Sequence, residues 1–237
     1  NYSMTLQAIS KGFEYFKRDG LKFSLNIFPA VLLFGIVASL GASSELKKGL
    51  SNLDIVILLI NNFLIAPLIT IISILNANDL FENRNRDVLV YYAIGWKFII
   101  RILILSLIST FLIGIGLVLF VVPGIIFAGL FLLVNYFAIL EEKNINESIL
   151  LSWNKARENF INYLLMAAFF WFMTILSISI VSYISSSFQE PEKVPMIVSI
   201  LSSSLVIYIQ ACLISFPILI FFKKEISNQI KSNNESS

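Results

Sequence analysis

The chain of 237 residues contains no histidine and a single cysteine, Cys212, and only 14% of its residues are charged. Without histidine there is no imidazole metal ligand, no histidine-activated nucleophile and no imidazole proton relay. A single cysteine excludes a disulfide within one chain. The net charge of +2 is too small to indicate a nucleic-acid partner. We therefore expect no metal, no cofactor and no nucleic acid, and the missing catalytic groups argue against an enzyme.

Hydrophobic residues, by contrast, make up 57% of the chain. Soluble domains carry about 25% charged residues, so this composition is typical of a membrane protein. Positions 98–140 form an apolar stretch with one charged residue, Arg101. A bilayer core takes about 20 apolar helical residues, so the stretch has the length of two spans. We predict a hairpin turn at Pro123 and Gly124, because proline lacks a backbone donor and glycine accepts unusual backbone angles.

Six segments in all are long and apolar enough to cross a bilayer. Backbone inside the hydrocarbon must satisfy its own polar groups, so each segment is predicted to be a helix and the fold class is all-α. The first is predicted to be a retained span, because it has no clear small-residue cleavage pattern. We name them spans 1 to 6, predicted at Phe23–Ala42, Ile55–Leu75, Phe98–Leu119, Ile125–Leu140, Ile161–Ile184 and Met196–Phe222.

The basic residues predict how the spans are oriented. Most lysines and arginines lie in the N-terminal segment, in the connections after spans 2 and 4, and in the C-terminal tail. The opposite side has Lys47, Lys48 and Lys193. Basic residues near span ends are retained in the cytoplasm, so both termini are predicted to be cytoplasmic.

A helical pattern precedes each pair of spans. Apolar residues recur at spacings of three and four in stretches that start near Leu6, Val88 and Ile145, with charged residues between them. Such a stretch can lie in the headgroup plane as an amphipathic helix. We therefore predict six transmembrane helices in three hairpins, each hairpin preceded by a cytoplasmic amphipathic helix.

This pattern predicts one membrane domain, residues 1–226, made of three units at about 1–76, 77–140 and 141–226. A true internal repeat is one interpretation. The other is that any six-span protein with short outer loops and longer inner ones shows this pattern. The remaining residues, 227–237, are rich in asparagine and serine and are predicted to be a disordered polar tail.

The residues that follow the predicted turn have a recognisable order. Pro123-Gly124-Ile125 is followed by Glu141-Glu142, then Ser152-Trp153, then Asn159-Phe160. Over positions 123–160 the chain resembles a superfamily of bacterial multi-pass membrane proteins. It includes the YciC-like proteins and the membrane domain of some glycerophosphodiester phosphodiesterases. The resemblance implies a bacterial inner-membrane protein and adds little mechanism. The chain departs from it at Leu130, near where many relatives carry an arginine, so no role that depends on that arginine is implied.

Polar side chains inside the predicted spans are the first candidates for a site. One interpretation is that the amides of Asn61, Asn62, Asn135 and Gln210 form a polar intramembrane cluster for a solute. The other is hydrogen bonding and packing between helices, which is common in helical bundles. All acidic residues lie outside the predicted span cores. This argues against an ion-coupled carrier, which keeps an ionisable group within the membrane.

Basic residues at the cytoplasmic span ends are the second set of candidates. Each such residue near an anionic surface contributes about 1 kcal/mol to binding. The effect of these basic residues on the orientation of the spans would by itself also explain why they lie at the cytoplasmic ends. The predicted contacts with anionic lipid headgroups are Arg84, Arg86, Lys155, Arg157, Lys223 and Lys224.

These observations predict a non-enzymatic integral membrane protein that acts in envelope or lipid homeostasis or as a subunit of a membrane complex. The predicted partners are the bilayer, anionic lipids and other membrane proteins. The alternative is a permease or channel for a small or amphiphilic solute that uses the four amides. A membrane-embedded lipid enzyme has the least support, because no buried acid, base or metal ligand is predicted.

Overall fold

A computed structural model describes residues 3–48, 52–84, 86–187 and 195–235. All regular structure in these ranges is helical, which confirms the all-α fold class. Short π-helical turns at Asn61–Ile65 and Ile214–Ile218 join α2 to α3 and α9 to α10. The helices are α1 Ser3–Lys48, α2 Asn52–Ile60, α3 Ala66–Phe81, α4 Val88–Leu119, α5 Val121–Leu130, α6 Val134–Leu140, α7 Ile145–Glu158, α8 Phe160–Ser186, α9 Met196–Leu213 and α10 Leu219–Glu235.

Six stretches of helix are long and apolar enough to cross a membrane, as predicted, and this number fits a multi-pass membrane protein. Many large apolar side chains on these stretches are exposed, for example Phe111 and Val118 of α4. Hydrocarbon can cover such side chains, so they do not need a protein partner. In chain order, spans 1 to 6 are Met4–Leu40, Asn52–Phe81, Val88–Leu119, Val121–Leu140, Phe160–Ile184 and Met196–Ser227.

Spans 2 and 6 extend further along the chain than the sequence predicts. The described parts of these spans therefore include three buried carboxylates, Asp54, Asp79 and Glu225. Arg86 Nε lies 3.0 Å from Asp79 Oδ2, an ion pair without the alignment of a hydrogen bond. Asn159 Nδ2 donates to Glu225 Oε1 at 2.9 Å. Asp79 and Glu225 thus each have a partner near the end of the span.

The stretches that precede spans 1 and 3 are not separate helices. α1 and α4 each run without a break from the predicted amphipathic stretch into the span. No proline separates the two parts, and continuing a helix costs much less than starting a new one. α10 likewise continues to Glu235, through the segment predicted to be disordered; residues 236–237 lie outside the described ranges. In the third unit the stretch is a helix of its own, α7, which begins with a capping box of Asn144 and Glu147.

Span 4 is broken in the middle, because α5 ends at Leu130 and α6 begins at Val134. Ser152 of α7 reaches into this break: its Oγ donates to the carbonyl oxygen of Leu130 at 2.7 Å and accepts from the amide of Leu133 at 3.3 Å. Non-helical backbone at membrane depth is tolerated where the protein satisfies its polar groups. α7 therefore completes span 4 through the buried hydroxyl of Ser152.

The break between spans 3 and 4 lies at Phe120, whose extended backbone separates α4 from α5. The structure places Pro123, predicted to lie in the turn, in the first turn of α5, where a missing amide costs no hydrogen bond. Gly124 packs against Gly116 of α4: a Cβ built on Gly116 would lie 2.8 Å from the Gly124 Cα. The two glycines thus allow the two helices to approach closely.

Gly116→Ala is expected to lower the thermal unfolding midpoint of the detergent-solubilised protein. Its methyl group meets the backbone of Gly124, and overpacking of this kind costs about 1–3 kcal/mol. Gly114→Ala is the matched control, because a Cβ built at Gly114 has no described atom within 4 Å apart from its chain neighbours and the local helix backbone. The control should leave the midpoint unchanged or raise it, since alanine is the better helix former by about 1 kcal/mol. Equal midpoints for the two variants would contradict the close packing of α4 on α5.

Ser152→Ala is expected to destabilise the protein, because it leaves the backbone groups of Leu130 and Leu133 without their partner. Each buried polar group left unpaired costs about 1–3 kcal/mol. The control is Ser186→Ala, whose exposed hydroxyl donates to the carbonyl of Tyr183 within the same helix. The control should change the unfolding free energy by less than about 0.5 kcal/mol. Thermal denaturation in detergent measures both, and a wild-type midpoint for Ser152→Ala would show that the break does not depend on this hydroxyl.

Candidate functional site

A cavity of about 500 Å³ lies between the N-terminal part of α1, the end of α3 and the start of α10. The lining residues of α1 are three or four positions apart, so they share one face of the helix. The lining residues of α10 have the same spacing, and Phe81 of α3 closes the wall between the two helices. The lining residues are Lys11, Glu14, Tyr15, Arg18, Phe81, Ile220, Lys223, Lys224 and Ser227.

Positive charge predominates in this cavity. Among its described lining residues four are basic and one, Glu14, is acidic. Two of the four already have a carboxylate partner. Arg18 pairs with Asp19 at 2.6 Å, and Lys223 pairs with Glu82 at 2.9 Å.

Aromatic rings hold the two paired cations against the wall. The centroids of the Tyr15 and Phe81 rings are 5.3 Å apart. The Arg18 guanidinium carbon lies 4.6 Å from the centroid of Tyr15, and Lys223 Nζ lies 5.7 Å from that of Phe81. These are cation–π distances, and the contacts add to the ion pairs in fixing the two side chains.

The other two cations, Lys11 and Lys224, have no carboxylate partner among the side chains that the structure describes. Lys224 Nζ donates to the neutral amide oxygen of Gln7 at 2.7 Å. Lys11 makes no ion pair with any residue that the structure describes, although Glu14 lines the same cavity. Both side chains line the same cavity, and like charges that share a small volume repel each other. An anion between them would relieve this repulsion.

Glu82 links the cavity to the loop after α3. Its Oε1 lies 2.9 Å from Lys223 Nζ, and its Oε2 lies 2.9 Å from an Arg84 nitrogen. The hydrogen bond from Lys223 holds the pKa of the Glu82 carboxyl below its usual value, with the charges of Lys223 and Arg84 acting in the same direction. Partial burial of the carboxyl opposes this shift and is outweighed. Glu82 is therefore ionised at neutral pH.

Three of the six predicted headgroup contacts line the cationic cavity or lie beside it. Lys223 and Lys224 line the cavity, and Arg84 lies beside it through Glu82. Two basic residues that sequence reasoning missed as headgroup contacts, Lys11 and Arg18, also line it. Their spacing of seven, which places them on one face of a helix, is the signal that could have found them.

The other three predicted headgroup contacts have local partners. Arg86 pairs with the buried carboxylate of Asp79 at 3.0 Å. Lys155 pairs with Glu158 at 2.8 Å, and the Arg157 guanidinium lies over a tryptophan ring. They are not among the residues that line the cationic cavity.

The four predicted intramembrane amides do not line one cavity. Asn135 lines a second cavity, of about 220 Å³, to which the other three do not contribute. Asn61 is buried, and its Oδ1 has no hydrogen-bond partner. Asn62 is exposed and donates to the carbonyl of Leu58 at 2.9 Å, while Gln210 is half-buried in α9. Asn61 and Asn62 are neighbours on span 2, whereas Asn135 lies on span 4 and Gln210 on span 6.

Within the described ranges, no group of three or more His, Cys, Asp or Glu side chains could hold a metal ion. No family model, curated protein or solved structure matches the chain. The resemblance of positions 123–160 to the YciC-like superfamily therefore stays a prediction.

Acid is expected to weaken the contacts of Glu82. Because the folded protein holds the pKa of this carboxyl below its unfolded value, the contacts stabilise the fold fully above the ordinary pKa of about 4.3. That stabilisation is lost as the pH falls through the lower folded pKa. The thermal midpoint of the wild type should therefore fall more between about pH 6 and pH 3 than that of Glu82→Gln.

The matched control is Glu142→Gln. The Glu142 side chain is 63% exposed and pairs with Lys97 at 3.1 Å, and such surface pairs contribute little. This variant should keep the acid dependence of the wild type. If Glu82→Gln also keeps it, the Glu82 network does not contribute to stability.

Proposed function

We propose that the protein is a non-enzymatic membrane protein that binds anionic phospholipid headgroups of the cytoplasmic leaflet in the cationic cavity. One observation carries the proposal: Lys11 and Lys224 line the same cavity, and neither has a carboxylate partner within the described part of the chain. A phosphate group supplies the negative charge and the acceptor oxygens that two ammonium groups need.

The position of the cavity favours a lipid as the source of that phosphate. Lys11 and Arg18 lie in the N-terminal part of span 1, before its predicted start at Phe23, the other two cations lie near the end of span 6, and Phe81 ends span 2. The headgroup region borders the hydrocarbon core at such span ends. Aromatic rings and basic side chains together are typical of this interface.

The orientation and the arrangement of the spans belong to the same proposal. The distribution of lysine and arginine supports cytoplasmic termini, which puts the cavity on the leaflet richer in anionic lipid. We infer that the spans pair as three hairpins, with the stretches before them near the cytoplasmic surface. The resemblance over positions 123–160 supports a bacterial inner membrane and a role in envelope or lipid homeostasis or in a membrane complex. A permease built on the four amides has less support, because they line no common cavity.

The test is binding of soluble, short-chain phosphatidylglycerol to the full chain in detergent, measured by native mass spectrometry. Wild-type protein should bind it in preference to short-chain phosphatidylcholine. The double variant Lys11→Ala, Lys224→Ala should bind it about 30-fold more weakly, because each cation contributes about 1 kcal/mol.

Lys97→Ala is the matched control, because it removes a cation that pairs with Glu142 outside the cavity. It should bind phosphatidylglycerol as the wild type does. Equal binding of the two lipids, or wild-type affinity in the double variant, would overturn the proposal. If the protein binds inorganic phosphate more tightly than short-chain phosphatidylglycerol, the cavity binds a soluble anion instead.

A further inference from the structure

The second cavity, of about 220 Å³, lies within the membrane-spanning part of the bundle and is separate from the cationic one. α4, α6 and α8 contribute most of its polar and aromatic lining. None of its lining residues in the described part of the chain is charged. The residues used below are Ser106, Ser109, Thr110, Asn135, Phe170 and Trp171.

Two departures from regular α-helix meet at this cavity. Phe131 and Leu132 line it from the break in span 4, and Ile214 and Ile218 line it from the π-helical turn in span 6. The hydroxyl of Tyr136 donates to the carbonyl of Ile214 and so joins the two irregular segments. Single π-helical turns are frequent at functional sites, and irregular backbone at membrane depth is found where it is buried in protein or lines a cavity.

The cavity also contains polar residues with unmet hydrogen bonds. Ser109 and Asn135 both line it, and Ser109 Oγ and Asn135 Oδ1 are buried without a hydrogen-bond partner. Buried polar groups in proteins are normally paired, and exceptions need an explanation. Since no described residue supplies a partner, a molecule in the cavity can supply one. An amide oxygen accepts, so the partner must carry a donor such as a hydroxyl.

We propose that this cavity binds the hydroxyl-bearing head of an uncharged single-chain amphiphile of the monoacylglycerol class. A charged head is disfavoured because no charged side chain lines the cavity to offset its desolvation. A head without a donor would leave the Asn135 oxygen unpaired. The apolar rings of Phe170 and Trp171 suit an acyl chain. The volume exceeds the share of a single water, about 30 Å³, and suits a glycerol head better than a two-chain lipid.

The test uses a clickable monoacylglycerol with a photoactivatable diazirine in its acyl chain, incubated with the full-length protein in phosphatidylcholine vesicles. Labelling should saturate, map to peptides of α4, α6 or α8, and fall when excess unlabelled monooleoylglycerol is added. Asn135→Leu and Ser109→Ala should each weaken binding about five- to tenfold, the effect of one lost hydrogen bond. Asn62→Leu is the matched control, because it removes an exposed amide outside the cavity.

Several results would overturn the proposal. These are labelling that does not saturate, equal competition by oleate or by methyl oleate, and unchanged labelling of both cavity variants. Absence of competition by monooleoylglycerol would mean that ordered water alone occupies the cavity. If Asn135→Leu does not fold, Ser109→Ala and Thr110→Val carry the test. The Lys11→Ala, Lys224→Ala variant should be labelled as strongly as the wild type. The proposals for this cavity and for the cationic cavity are therefore tested independently.

Discussion

Backbone groups that leave a helix inside a membrane must find another partner, and the hydroxyl of Ser152 supplies one for the break in span 4. This requirement fixes the position of α7 against α5 and α6. α7 ends next to Asn159, whose side chain donates to the buried carboxylate of Glu225 in α10. Glu225 directly follows Lys224 in the chain. A hydrogen bond at the break in span 4 is thus connected, through one helix and one side chain, to the cationic cavity.

Small residues bring the other half of that cavity into place. A Cβ built on Gly12 of α1 would lie 2.9 Å from the Pro217 Cα, so this glycine allows α1 to lie directly on span 6. Gly35 makes a similar contact further along α1: a Cβ there would lie 2.6 Å from the carbonyl oxygen of Ile200. In a membrane the hydrophobic effect does not drive helices together, because lipid tails are as apolar as the side chains. Small residues allow the close backbone packing that holds such helices together. Gly12 follows Lys11 in the chain, and Pro217 precedes α10. The contact between Gly12 and Pro217 therefore places Lys11 near the start of α10.

The number of spans and the fold class could be predicted because length and apolarity are local properties of the chain. The break at 131–133 could not, because the residues around it are as apolar as a continuous span and the stabilising hydroxyl lies on the next helix. The turn was predicted from Pro123 and Gly124, yet these residues are also compatible with the first turn of a helix and with close packing. Phe120, where the chain does turn, has no sequence signal of its own.

The sequence likewise predicts only part of the candidate site. Charge and position predict Lys223 and Lys224, whereas the spacing of Lys11 and Arg18 places these two on one helix face but does not show that packing between the two ends of the chain brings them to α10. The four intramembrane amides show the opposite case. Residue type suggested a cluster, but distance along the spans and the face of each helix decide which side chains meet, and only Asn135 lines the polar cavity described here.

The central claim is that Lys11 and Lys224 together hold the phosphate of an anionic lipid. A structure of the protein in nanodiscs that contain phosphatidylglycerol tests it most directly. The account predicts headgroup density within hydrogen-bond distance of both ammonium groups. Ordered phosphatidylglycerol elsewhere on the protein, with no density between these two lysines, would contradict it.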